Sequence, residues 1–541
     1  MTTTLRECND RGYECCILQD CTAGFDAQQV TTSLDIICGQ DGLFGYIGHS
    51  SDFLTATSKA LAPLTPPTTP PQLDVSRLPS IDELRTRYKM GICTPATVIE
   101  SVFDRIEKYK AVDPAVWIHL ETQEKCLAEA NKLILKYAGK PLPPLFGIPF
   151  SVKDTIDVAG IETTAACPQY AYIADRNALA VQHVLDAGGI FIGKVNLDQL
   201  ATGLSGCRSP YGVPHSVYSS THISGGSSSG SAVSVAAGLV SFGLATDTAG
   251  SGRVPAAFNG VVGFKPTKGT VSARGLVPAC RTLDTITVIA PTISETRKVW
   301  QIVAQHDRDD PFSKLPHTLV TWQTDFRGPQ AGGFTFAVPS QSALKVCSKE
   351  YATLFESAIL KIRSCGGRLV EVDYSVFEHA GKLLYDASLL FERIACIGLE
   401  FLQQNLDDLH PVIKDLFSHA LANPPSAYDV FQDQSLQIRL TRKVQQIFDK
   451  LARGIDVLIV PTTTKHPTIE EMVADPLRLN SHLGTFTHYA NVVDMTGVNV
   501  PAGMYTDDSG ISLPFGVTVL GGGGYDAKVL DIAAVIEEAL S

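Results

Sequence analysis

Residues 224–253 read SGGSSSGSAVSVAAGLVSFGLATDTAGSGR, and every other segment of the chain is interpreted through them. A run of small and apolar residues is bracketed by two clusters of glycine and hydroxyl, GGSSSGS at 225–231 and TDTAGSGR at 246–253. Glycine lets a backbone take turns and close approaches that a Cβ forbids. Gly225 and Gly226 therefore free the backbone at Ser227, while Thr248, Ala249, Gly250 and Ser251 can turn tightly enough to aim several N–H groups at one point. Converging donors of this kind are what an oxyanion requires. Between the clusters, Gly230, Ala232, Ser234 and Gly238 suit a helix packed tightly on a sheet. The plain alternative is a flexible Gly/Ser loop; a phosphate cradle is set aside because no glycine-rich loop ends in Gly-Lys-Ser/Thr.

Upstream, GIPFSVKDT at 147–155 brings an apolar strand to an end at Lys153. Burial disfavours the ammonium form, so a lysine drawn into the protein can be neutral near pH 7 and accept a proton. A lysine beside an aspartate is by itself more often a paired or solvated charge. The two glycine-hydroxyl clusters are what change its meaning. Arg253 and Asp247, flanking the second cluster, are expected to form an ion pair that holds the loop.

From residue 145 onward, short apolar or β-branched runs alternate with helical ones. IPFSVKD, the strand end of AVQHVLDAGGIFIGKVN, VSFGLATDT, FTFAVPS, GGRLVEVD and DVLIVPT read as strands, with helices over 351–364 and 436–451. Such alternation predicts an α/β body with a buried, partly parallel sheet. One three-layer sandwich is expected over 80–541, with no internal repeat and no second enzyme domain. Ahead of it, SIDELRTRYKMG reads as a helix with Ser80 as N-cap, Glu83 closing a capping box and Gly91 at the end, and Thr94-Pro95 starts a second helix running to Ile106.

The whole chain narrows the classes of function. At 541 residues and 44% hydrophobic it can bury a large core. A net charge of -12 argues against nucleic acid or an anionic membrane as the main partner. Its 13 cysteines lack metal-ligand spacing and read as reduced, mostly buried thiols, so no metal is expected. No apolar window reaches the roughly 18 residues of a membrane span, and the charged N-terminus does not resemble a signal peptide. A cytoplasmic location is the simplest expectation.

Residues 1–61 have a different texture: a polar helix, an apolar strand at 15–18, turn chemistry at 22–26, and five cysteines, Cys8, Cys15, Cys16, Cys21 and Cys38. TTLRECNDRGYECCILQDCTAGF and LFGYIGHSSDFL resemble the C-terminal part of an isochorismatase-like cysteine hydrolase. That family's nucleophile and its partners match nothing in this segment, so 1–61 is expected to be a truncated, non-catalytic appendage. APLTPPTTPPQ at 62–72 follows, and its prolines bias the chain to extended polyproline II. The expected domains are thus 1–61, a proline-rich linker over 62–79, and the sandwich over 80–541.

SVKD, GGSSSGS and TDTAGSGR, in this order, resemble the amidase signature family, whose fold is an α/β/α sandwich around a large mixed sheet. The resemblance implies a catalytic set of Lys153, Ser227 behind a cis peptide bond, and the nucleophile Ser251, with the N–H groups of Thr248, Ala249, Gly250 and Ser251 as the oxyanion hole. Two distant stretches point to a substrate. LLYDASLLFER puts Tyr385 and Arg393 eight residues apart, close to two helical turns, so that both could share one face. Read alone this is an ordinary amphipathic helix. Together with CRTLD at 280–284 and ADPLRLNSHLGTFTHYANVVDMTGVNVPAG at 474–503, it resembles the allophanate hydrolases within the family. That likeness implies that Tyr385 and Arg393 hold the carboxylate of allophanate, and that no organic cofactor is used. The extra C-terminal domain of many allophanate hydrolases and any biotin-carrier segment are not found, so a separate biotin-dependent urea carboxylase is the expected functional link, and a homodimer the expected assembly. The alternatives are a general small-amide amidase with the same triad, a non-catalytic gene product, or one component of a transamidating complex.

Overall fold

The computed structural model describes residues 16–18, 46–48, 78–315, 333–384, 388–449 and 454–541. Its backbone divides into two units, Met1–Val75 and Ser76–Ser541. In the first, Cys16–Leu18 pairs in parallel with Tyr46–Gly48. The polar helix expected before that strand, the turn at 22–26 and the proline stretch lie outside the described residues.

In the second unit eleven strands form one sheet. In chain order they are β1 (Trp117–Leu120), β2 (Ile148–Lys153), β3 (Gly189–Val195), β4 (Phe242–Asp247), β5 (Val262–Lys265), β6 (Thr285–Ala290), β7 (Phe334–Ala337), β8 (Gly367–Leu369), β9 (Val457–Pro461), β10 (Thr496–Thr506) and β11 (Ser512–Gly521). Their spatial order is β8-β7-β9-β11-β10-β5-β6-β4-β2-β3-β1. The pairings β4–β2, β2–β3, β7–β9 and β7–β8 are parallel and the rest antiparallel, so the sheet is mixed.

Successive side chains of a strand point to opposite faces, and here both faces are buried. In β9, Val457 and Ile459 belong to one hydrophobic core while Leu458 and Val460 belong to another. Two cores on two faces make the α/β/α sandwich. Helices α1 (Ile81–Lys89) and α2 (Pro95–Tyr109) start where the cap residues say they should, with Ser80 and Thr94 as N-caps. Glu83 differs from expectation: its carboxylate pairs with Arg87 one turn on, so Ser80 caps the helix without the reciprocal bond. The second helix runs three residues past Ile106.

The remaining helices used below are α3 (Ser229–Ala236), α4 (Arg253–Phe258), α5 (Lys349–Ser364), α6 (Leu389–Ile397), α7 (Ala427–Ile447), α8 (His488–Val492) and α9 (Asp526–Leu540). α5 matches the expected 351–364 closely, whereas α7 begins nine residues before the expected start at Leu436. Among the described residues no helix is long and apolar enough to cross a membrane. What positions the site is the parallel register of β2 and β4, Phe242 opposite Phe150 and Leu244 opposite Val152. It carries the end of one strand, Lys153, to the end of the other, Thr246 and Asp247.

Candidate active site

Lys153 is wholly buried, and its Nζ reaches three hydroxyls: Ser227 Oγ at 2.7 Å, Thr246 Oγ1 at 2.7 Å and Ser228 Oγ at 3.0 Å. Burial brings its proton affinity down to about 7. The Arg393 charge acts in the same direction, and Asp198, Asp247 and Asp284 oppose it. Ser228 donates its own hydroxyl to the Thr246 carbonyl at 3.1 Å and is thereby fixed as an acceptor for the lysine.

The Gly226–Ser227 peptide bond is cis. Gly225 has φ +74°, and any Cβ on Gly226 would sit 2.1 Å from Asp198 Oδ2. Asp198 braces this loop from below: its carboxylate accepts the N–H groups of Ser205, Gly206 and Arg208 at 3.2, 3.0 and 2.9 Å, and its own N–H donates to the Ser227 carbonyl at 3.1 Å. A helix then leaves directly, and α3 packs so closely that a Cβ on Gly230 would lie 2.5 Å from the Val116 carbonyl oxygen.

The second cluster forms the turn between β4 and α4. Arg253 Nε and Nη2 donate to Asp247 Oδ2 and Oδ1 at 2.8 and 2.9 Å, a fork-on-fork pair with both side chains fully buried. Burial alone would push the Asp247 carboxyl up; the guanidinium and nearby donors outweigh it and hold the group below the usual range. Asp247 also accepts the N–H groups of Gly250 at 2.8 Å and Gly252 at 3.1 Å. Gly250, expected among the oxyanion donors, therefore has its N–H committed to Asp247. The turn meets the C-terminal part of the chain at Thr487, whose hydroxyl donates to the Ala249 carbonyl at 2.8 Å, and at Asn491, whose amide donates to the Asp247 carbonyl at 2.7 Å.

Ser251 is 3% exposed. Its carbonyl accepts the Ser228 N–H at 3.2 Å, which ties the two clusters together. Among the described residues its hydroxyl makes no hydrogen bond, so the bond from Ser251 to Ser227 that a proton relay needs is not closed here. Ser228, Thr246, Asp198 and Asn491 are site residues that sequence reasoning missed. The first two lie inside the two clusters, while nothing in local spacing announces the others.

Arg393, on α6, is also buried, and its Nη1 donates to Thr202 Oγ1 at 2.7 Å and to the Ala201 carbonyl at 3.3 Å. Among the described residues no carboxylate pairs with it. Tyr385, expected to share a face with Arg393, lies outside the described residues; Arg393 is on α6, which runs Leu389–Ile397. The neighbouring Glu392 accepts the Thr282 N–H at 2.7 Å and its hydroxyl at 2.6 Å, which brings the two distant stretches, CRTLD and LLYDASLLFER, together. A cavity of about 250 Å³ opens beside them, with Arg274, Arg281, Asp284 and Phe312 in its wall.

The chain belongs to the amidase family, whose model, described as Amidase, matches residues 98–530. Among solved structures it is similar to the allophanate hydrolase of Kluyveromyces lactis, at 34% identity and a TM-score of 0.75 over 86% of this chain and 73% of that one. Among sequences it is 36% identical over 438 residues to the urea amidolyase of Saccharomyces cerevisiae, covering 81% of this chain and 23% of that protein. It is also 37% identical over 449 residues to the urea amidolyase of Lachancea kluyveri, covering 82% of this chain and 23% of that protein. The chain thus spans about a quarter of the length of the urea amidolyases it matches.

Proposed function

We propose that the chain is a serine amidohydrolase acting on allophanate, with Ser251 as nucleophile, Ser227 as relay and Lys153 as base. The observation that carries the chemistry is the contact of Lys153 Nζ with the Ser227 hydroxyl at 2.7 Å. A neutral lysine has two N–H bonds and one lone pair. Ser228 can only accept, so one N–H goes there and the lone pair is left for a hydroxyl whose proton is free, as that of Ser227 is. Lys153 takes the Ser227 proton, Ser227 takes that of Ser251, and the Ser251 oxygen adds to the amide carbonyl. Substrate entering the turn closes the missing bond between the two serines. The oxyanion is held by N–H groups of the turn, those of Thr248, Ala249 and Ser251 being free of other partners among the described residues. As the tetrahedral intermediate collapses, the relay runs backwards, the amine leaves as ammonia, and water releases the acyl group by the same path. The N-carboxylated carbamate left behind breaks down to ammonia and carbon dioxide.

The substrate reading rests on Arg393. Arg393 is buried with no ion pair among the described residues, the Asp284 charge acting on it only from a distance, and a substrate carboxylate supplies a direct partner, with Tyr385 as a second donor. The likeness to an allophanate hydrolase and to urea amidolyases supports the same choice. Allophanate made by a separate biotin-dependent urea carboxylase is the proposed supply, without a metal or organic cofactor in this chain. For the proposed homodimer, Tyr428, Phe431 and Ile438 offer exposed apolar surface along α7.

Ammonia release from allophanate, acetamide, malonamide and benzamide tests the reading. Allophanate should give the highest kcat/KM, and Ser251→Ala should release none. Arg393→Ala should raise KM for allophanate by at least about 30-fold, the equivalent of ~2 kcal/mol, and spare neutral amides. Allophanate turned over no better than the neutral amides would end the specific reading.

A further inference from the structure

Between the Ser251 turn and the helix that carries Arg393 lies one short loop, residues 279–284. Its last residue, Asp284, is buried. One carboxylate oxygen accepts the N–H groups of Ala279 and Cys280 at 2.9 and 3.0 Å, folding the loop onto itself, and the other accepts the hydroxyl of Thr248, the residue that opens the turn. Thr282 fastens the loop's middle to Glu392, next to Arg393. The Leu283 carbonyl accepts from the Asn491 amide at 3.1 Å, the same amide that holds the Asp247 carbonyl. Among the described residues no cation pairs with Asp284. Burial makes an ionised carboxylate costly; the Thr248 hydroxyl, the Ala279 and Cys280 N–H groups and the nearby Arg393 guanidinium offset that cost. Burial pushes its carboxyl up to about 6, so at neutral pH it is still the ionised acceptor that the Thr248 hydroxyl needs.

We propose that Asp284 is a positioning residue for amide hydrolysis, acting through Thr248 to hold the Thr248–Ser251 turn at a set distance from Arg393. The loop works as a spacer: one end fixes where the carbonyl oxygen meets the turn, the other fixes where the carboxylate meets the guanidinium. The inference rests on Ser251 being the nucleophile. An asparagine at 284 has the same size, but it can keep Thr248 only by reversing the bond, its NH2 donating to the Thr248 oxygen without the carboxylate's charge, so the anchor of the turn is weakened.

A fluorophosphonate reads the turn without any amide substrate: the Ser251 oxygen bonds to phosphorus, the P–F bond breaks, fluoride leaves, and the hydroxyl proton passes to Ser227. Thr248→Val, nearly isosteric but lacking the hydroxyl, should slow this labelling at least about tenfold, with an equal fall in kcat on the best amide and KM within about twofold. Thr248→Ser, which restores the hydroxyl, should recover most of the loss. Asp284→Asn should slow labelling in the same direction and by no more than Thr248→Val, and the double variant should be no worse than Thr248→Val alone, because both act on one interaction. Labelling of Thr248→Val at the wild-type rate, or losses that multiply in the double variant, would overturn the proposal. Should Asp284→Asn not fold, Thr248→Val against Thr248→Ser decides it. A wild type that takes no label overturns instead the assignment of Ser251, and this inference with it.

Discussion

Lys153 shows how far one side chain can be moved from its ordinary chemistry. In water a lysine is protonated far above neutrality; here burial brings it to about 7, where the neutral base is populated at physiological pH. The base works only when neutral, so activity should be full above that pH and fall about tenfold per unit below it. A pH profile of kcat/KM measures this directly, and a profile flat down to pH 5 would remove Lys153 from the relay. The three residues of the proposed relay could be picked out from sequence because each sits in a short contiguous motif. Ser228 and Thr246 lie inside those motifs without a signal of their own, since which hydroxyl faces a lysine is set by two strands in register and not by spacing along one of them. Asp198 was invisible: its contact with the cis loop is made across the fold.

α3 is where local preference and packing disagree. In an exposed helix Gly→Ala gains roughly 1 kcal/mol, and by that rule Gly230→Ala should stabilise the protein. A Cβ there would lie 2.5 Å from the Val116 carbonyl oxygen and 2.7 Å from the Asn196 nitrogen, both backbone atoms that cannot swing aside. Overpacking of this kind costs about 1–3 kcal/mol, so the clash wins. Gly230→Ala should lower Tm and, by displacing the helix that starts two residues after Ser227, lower kcat as well; a higher Tm would show that α3 can shift freely. Short apolar runs marked the strands β2, β3, β4, β7, β8 and β9, and small residues marked this helix, although Gly238, expected within it, lies past its end at Ala236. Sequence periodicity passed over β10 and β11, the longest pair in the sheet, because Gly497, Pro501 and Gly503 interrupt the first with turn-like residues. The structure absorbs them in a register shift between Pro501 and Gly503.

On the scale of the whole molecule, the site depends on segments far apart in the chain. The Asp247–Arg253 pair sits where they meet, since Arg253 Nη2 also donates to the Thr487 carbonyl and to Asn491 Oδ1 at 3.3 and 3.2 Å. Removing one partner leaves the other charge buried alone, which costs about 3–5 kcal/mol. Asp247→Asn should therefore lower the urea midpoint steeply at neutral pH. The carboxyl's folded value lies below the ordinary 3.8, so its contribution is present above that pH and lost as acid protonates it. The gap between wild type and Asp247→Asn should accordingly narrow below pH 4; a constant gap would mean that the charge is not what matters. The same arrangement sets a timetable for synthesis. Asn491 bonds to the Asp247 carbonyl across 244 residues, so a nascent chain that has emerged only as far as α7 holds both serines and the lysine but not the strut that supports the turn. Contacts of such long range form late, so the turn gains this support only after residue 491 has emerged from the ribosome.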